Sequence, residues 1–228
     1  MKAIALGDIH GRGNWKQIVT AEKPDLTIFI GDYWDSFDIP FLKQMDNFRD
    51  IIAFKKANPN EVKLLFGNHD FHYVSAAQEK YSGYQKFHAM DISDALHKAL
   101  EENLMQMCFQ YNGLLFSHAG VTKTWCKENG IKKFIPQAIN DIFKFQPTKF
   151  RFARGENDSD YGDDICQPPI WVRPESLLKD GIDGYMQIVG HTQQDKMILS
   201  EKFAFIDTLG TSGEYFIING TKISAKKL

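Results

Sequence analysis

The chain has 228 residues, with 27 Lys and Arg against 29 Asp and Glu and a formal net charge of −2. That length can bury a substantial core without disulfides or a structural metal and is expected to form one domain, 1–228, while the balanced charge argues against the basic field of a nucleic-acid binder. Three widely spaced cysteines, Cys108, Cys126 and Cys166, suit reduced thiols, and no segment has the length of a membrane span or of a signal-peptide core, so a cytoplasmic protein without a membrane partner is expected.

The stretch 2–11 begins as a short apolar strand and ends by presenting Asp8 and His10. Side chains two apart on a strand share a face, so two metal-ligand types point the same way. Residues 14–22 read as a helix, with Asn14 as N-cap and Pro24 beyond its end. A second strand, 26–30, runs into Gly31 and Asp32. The spacing of Ile39, Phe41, Leu42, Met45, Phe48, Ile51, Ile52 and Phe54 predicts a helix that Asn58 and Pro59 stop. A third strand, 62–66, runs into Gly67, Asn68, His69 and Asp70. This alternating order predicts a parallel sheet with helices packed on it, whose ligands sit beyond the carboxyl ends of the strands.

The alternation then breaks. Segment 71–90 is aromatic and has no readable order; 91–103 reads as a helix on Ile92, Leu96, Ala99 and Leu100. Strands 105–110 and 114–116 flank Tyr111, Asn112 and Gly113 as a hairpin that delivers Ser117 and His118. Helices 121–128 and 134–145 follow, then an acidic loop, 151–169, that reads as a solvated face. The tail, 186–224, is a run of strands with a turn at Asn219 and Gly220, and its first strand meets Gly190 and His191. Phe71, Tyr73, Tyr81, Tyr84 and Phe87 are expected to pack, because no basic residues cluster between them. His72, His88 and His97 lie outside the strand ends and read as ordinary surface or half-buried histidines.

Five strand ends thus carry Asp, Asn or His behind Gly or Ser and would converge on one place. Carboxylate, amide and imidazole ligands without thiolates favour manganese, iron or zinc. The blocks resemble the calcineurin-like metallophosphoesterase superfamily, whose pattern runs DxH, GDxxD, GNH(D/E), a lone His and GHx(H). Here these are Asp8 and His10, Asp32 and Asp35, Asn68 with His69 and Asp70, His118, and His191, over roughly residues 3–210. The resemblance implies an α/β protein, a four-layer α/β/β/α sandwich of two packed mixed sheets and flanking helices, with insertions at 71–103 and 151–169. It also implies two divalent metal ions: Asp8 and His10 on one, Asn68, His118 and His191 on the other, and Asp32 on both. Phosphate esters would be hydrolysed by direct attack of a metal-bridging hydroxide. His69 resembles the family's general acid and Asp35 the carboxylate that orients it, which argues against a non-catalytic binding scaffold on the same fold.

Two departures refine the branch. Gln193 stands where many members have a final His. With Ser117, His118, Ala119 and Gly120, and with Ile206, Asp207 and Thr208, this resembles the phosphoprotein-phosphatase branch, the serine/threonine phosphatases of bacterial and phage type. The implied substrate is a phosphomonoester, whether phosphoprotein, nucleotide or small molecule; a phosphodiesterase or dinucleoside polyphosphate hydrolase is the alternative. Ser36 occupies the place of the branch's phosphate-gripping Arg. Phosphate oxygens still need cationic donors. Arg173, in a Trp-x-Arg segment similar to one in bacterial members, is the leading candidate, followed by Arg12 and Arg154.

Overall fold

A computed structural model describes residues 1–77, 79–133, 135–153 and 163–228. Its layering follows from the alternation in β1 (Lys2–Leu6), where Ala3 and Ala5 face one way and Ile4 and Leu6 the other. Next come α1 (Trp15–Glu22), β2 (Leu26–Phe29), α2 (Phe41–Ala57) and β3 (Val62–Leu65), and β1, β2 and β3 pair in parallel as expected. A single turn, α3 (Asn68–Phe71), and α4 (Ala89–Glu101) lead to β4 (Met105–Gln106), parallel to β3.

The chain then crosses to a second sheet through β5 (Cys108–Tyr111) and β6 (Leu114–Ser117). Helices α5 (Lys123–Glu128), α6 (Ile135–Phe145) and α7 (Pro174–Asp180) precede β7 (Met186–Val189), β8 (Ile198–Leu199) and β9 (Phe203–Phe205). Finally β10 (Glu214–Asn219) and β11 (Lys222–Lys227) return to the first sheet as the hairpin expected around Gly220. The strand orders are β11-β10-β1-β2-β3-β4 and β5-β6-β7-β9-β8, both mixed.

Between the sheets, Ala3, Ala5, Ile28 and Ile30 meet Phe116, Ile188, Ala204 and Ile206. On the outer face of the first sheet, Ile4, Leu6 and Phe29 pack with Trp15, Ile18, Phe48 and Ile92. Outside the second, Val189, Phe203 and Phe205 pack on Leu177 of α7. The result is the four-layer α/β/β/α sandwich. Each large aliphatic or aromatic side chain buried there contributes roughly 1.5–3 kcal/mol.

Several local expectations change. The strand expected over 105–110 is two strands in different sheets. Asn140 fixes the crossing: its Oδ1 accepts from Met107 N (2.9 Å) and Cys108 N (3.0 Å), and its Nδ2 donates to Cys108 O (2.9 Å). Asn14 does not cap α1; its backbone is already helical and its side chain makes no capping bond. Helix α2 starts only after Pro40, because Ser36 Oγ accepts from Asp38 N and Ile39 N and turns the chain first. Phe87 is exposed rather than packed, at 95%. Helix α7 was not expected; Pro174 opens it, but seven residues are too few to show a period. Phe134, Arg154 and the acidic run 154–162 lie outside the described residues.

Candidate active site

The five expected strand ends do converge. Close approach of backbone makes this possible: a Cβ at Gly67 would lie 2.1 Å from Asp32 Oδ1, and one at Gly190 2.1 Å from Asp8 Oδ1. Asp70, behind Asn68, accepts from the amides of Asp32 (2.9 Å), Tyr33 (2.9 Å) and Gly67 (2.8 Å) and ties the β2 and β3 ends together. His10, Asp32, Asp35 and His191 hold positive φ of 41, 52, 66 and 65°, four of the seven such non-glycine residues among those described. Backbone strain of this kind persists where the surroundings enforce it and collects at functional sites.

Each of three histidines spends its ring proton on a backbone carbonyl. His10 Nδ1–H donates to Trp34 O (2.5 Å), His118 Nδ1–H to Ile30 O (3.1 Å), and His191 Nε2–H to Trp171 O (3.2 Å). The other ring nitrogen of each is left with a lone pair. Those lone pairs face acceptors. His118 Nε2 is 2.8 Å from Asn68 Oδ1 and 3.3 Å from Asp32 Oδ2, His191 Nδ1 is 2.9 Å from Asn68 Oδ1, and His10 Nε2 is 3.8 Å from Asp32 Oδ2. Acceptor facing acceptor in a buried site calls for cations between them, so these residues fit a divalent-metal centre. Asp8, Asp32 and His118 alone bring three ligand atoms within 4.8 Å of one another.

Burial and neighbouring charge shift the titration of these groups. Burial, then the charges of Asp207 and Asp32, push the Asp8 carboxyl well above its ordinary pKa. For Asp32 burial works the same way, but His118, His69 and His10 outweigh it and the carboxyl lies well below the usual range. Burial holds His10 and His191 below the ordinary imidazole value, as neutral ligands require.

His69 differs from the other three. Its Nδ1–H donates to a carboxylate, Asp35 Oδ2, at 2.9 Å, and its backbone N donates to Asp32 Oδ1 at 2.9 Å. Burial lowers its pKa, but Asp32 and Asp35 outweigh that and raise it above the ordinary value. Burial would raise Asp35, yet hydrogen bonds from His69 and Tyr73, with the His72 imidazole close against Oδ2, hold it below the usual range.

Arg173 lies beside the cluster: Nη1 donates to Thr192 Oγ1 at 3.1 Å, and burial lowers its pKa against the opposing charges of Asp8 and Asp32. The charge of Arg12 also reaches Asp8 and Asp207. Gln193 is exposed.

The profile of the calcineurin-like phosphoesterase family matches residues 1–195. The chain belongs to that family. As a calcineurin-like phosphoesterase it is a metal-dependent hydrolase of phosphate esters. Among solved structures, it is similar to a protein serine/threonine phosphatase from Saccharomyces cerevisiae that resembles human phosphatase PP5, at 12% identity and a TM-score of 0.60 over 100% of this chain and 80% of that one. A metallophosphoesterase from Sphaerobacter thermophilus aligns at 11% identity and a TM-score of 0.50, over 100% of this chain and 88% of that one. At such identities the likeness is one of fold. No curated protein sequence matches the chain significantly. Among the described residues, no helix is long and apolar enough to cross a membrane.

Two residues at the phosphoesterase site were not expected there. Asp207, after β9, is buried at 7% exposure against Asp8; burial and the charge of Asp32 raise its pKa to about 6. Ile206-Asp207-Thr208 was read only as a branch marker, though it is a sixth strand end with a carboxylate. His72, expected to be an ordinary surface or half-buried histidine, is fully buried, with Nε2 2.6 Å from Asp35 Oδ2. Its position, one turn after His69, was the available signal.

Proposed function

We propose that this phosphoesterase is a dinuclear-metal phosphomonoesterase of the serine/threonine-phosphatase type. The observation that carries the reading is the pairing of His69 with Asp35 beside three histidines whose lone pairs face Asp32 and Asn68. Asp8 and His10 would hold one cation, Asn68, His118 and His191 the other, with Asp32 shared; manganese, iron or zinc suits these ligands. Bound there, the pair would supply Lewis acidity toward phosphoryl oxygens and a nucleophilic water at neutral pH.

The chain's own residues then have separate tasks. Arg173, with Arg12 behind it, would fix the phosphate oxygens; Ser36 is committed to the turn before α2 and offers no cation. Asp35 keeps one His69 proton on Nδ1, so the proton on Nε2 would be the one that passes to the departing alkoxide. Stabilising a leaving alkoxide serves an alkyl phosphate ester such as a phosphoserine, and the branch markers at Ser117–Gly120 and Ile206–Thr208 favour the monoester. The free, buried thiols of Cys108 and Cys126 support a cytoplasmic setting.

The reading is tested by His69→Ala. It predicts retained metal and a kcat on alkyl phosphates lowered by about 10²-fold or more; unchanged turnover would remove His69 from the mechanism.

A further inference from the structure

The Asp35 carboxylate is surrounded by more donors than an orienting role for one imidazole requires. Oδ2 faces His69 Nδ1 at 2.9 Å and His72 Nε2 at 2.6 Å; Oδ1 accepts from Tyr73 OH at 2.5 Å and Gln85 Nε2 at 3.3 Å. Three of these four donors come from segment 71–90. Gln85 N also donates to Tyr73 Oη (2.8 Å), and Gln85 Nε2 to Gln44 Oε1 (3.1 Å), which fastens the segment to α2. Gly83, at φ +84°, places its backbone where a Cβ would lie 3.0 Å from Asp35 Cβ.

His72 is the centre of this arrangement. Its Nδ1 accepts from Tyr81 N (3.3 Å), so the ring proton resides on Nε2. That N–H is fully buried and has no well-directed acceptor; Asp35 is the acceptor within reach. Tyr81 lies parallel to the ring, with centroids 5.9 Å apart and 9° between planes, and Tyr84 meets it edge-on at 5.1 Å. Two tyrosine rings and one backbone bond thus fix the orientation of this imidazole. The Asp35 carboxylate, bonded by Tyr73 and Gln85 at Oδ1 and bounded by His72 at Oδ2, is the group that aims His69.

We propose that His72 is a positioning residue for proton transfer: with Tyr73 and Gln85 it locks the Asp35 carboxylate that aims His69 at the leaving group, which makes segment 71–90 a working part of the site. The proposal rests on the general-acid reading of His69.

The test compares phenyl phosphate, whose leaving group needs a proton, with 4-nitrophenyl phosphate, whose leaving group departs without one. His72→Phe keeps a ring and removes the N–H. It should lower kcat on phenyl phosphate by about 10–100-fold with KM unchanged, and leave 4-nitrophenyl phosphate within about threefold. His72→Gln, which restores an N–H near the position of Nε2, should recover most of the loss. In the His69→Ala background, His72→Phe should cost nothing further. Equal loss on both esters, or an added loss in the double variant, would overturn the proposal, since a merely structural residue behaves that way. If the wild type hydrolyses neither ester, the phosphomonoesterase reading fails, and ¹⁵N-histidine NMR decides the geometry. The proposal then predicts a slowly exchanging His69 Nδ1–H in the wild type that His72→Phe abolishes; an unaltered resonance overturns it.

Discussion

Replacing Gly190 with Ala should disable the Asp8 side of the site while leaving the fold standing. The new Cβ would lie 2.1 Å from Asp8 Oδ1, where ordinary contact begins at 3.4 Å, a shortfall of 3.4 − 2.1 = 1.3 Å. Asp8 is a short side chain, 2% exposed, and Ile30 Cγ2 stands 3.2 Å from the same Cβ, so the carboxylate has little room to retreat. Moving it also breaks its bonds from His191 N, at 3.0 and 3.1 Å. A displacement of about 1 Å at a reacting centre costs roughly 10²-fold in rate, and one lost hydrogen bond to a charged group about 1.5–3 kcal/mol. Metal retained per chain after dialysis, kcat on an aryl phosphate and Tm should be measured together. We expect less bound metal, kcat lower by about two orders of magnitude and Tm lower by several degrees. Full metal retention with kcat within about twofold of wild type would refute the close approach of β7 to Asp8.

Three further outcomes follow from particular contacts. Asp35→Asn removes one of the charges that raise His69, so His69 should lose its proton at lower pH and the alkaline limb of the kcat–pH profile should move down; an unmoved limb would separate Asp35 from His69. Arg173→Ala should lower kcat/KM by about 10–100-fold, the worth of a charge-assisted hydrogen bond to phosphate, and unchanged kinetics would remove it as the anchor. Asn140→Leu leaves three backbone groups at the sheet crossing unpaired and should cost about 2–3 kcal/mol in urea unfolding with m unchanged; a loss under about 0.5 kcal/mol would contradict the clamp.

The convergence of strand ends was legible because glycine followed by a polar ligand type, repeated behind apolar strands, has few other physical uses. Parallel pairing of β1, β2 and β3 followed from element order alone. The split at Met107 was not legible, since a continuous apolar run looks the same in one sheet or two and the deciding side chain, Asn140, lies over 30 residues on. His72 and Phe87 show the same limit from opposite sides. Both belong to an aromatic segment without periodicity, where burial is set by tertiary contacts: His72 sits beneath Tyr81 and Tyr84, and Phe87 faces outward from a short 3₁₀ turn. Asp207 was legible in kind, as a polar residue after an apolar strand, but its approach to Asp8 depends on Gly7, where a Cβ would meet Ile206 O at 2.2 Å.

The most direct test compares manganese-loaded wild type on phenyl phosphate, whose leaving group needs a proton, and the matching diester, diphenyl phosphate, with His69→Ala and Asp8→Asn beside it. The account predicts metal-dependent turnover that favours the monoester and falls in both variants. Preference for the diester would contradict the phosphomonoesterase reading, and stoichiometric metal with no turnover on either ester would contradict the proposed catalytic role of the site.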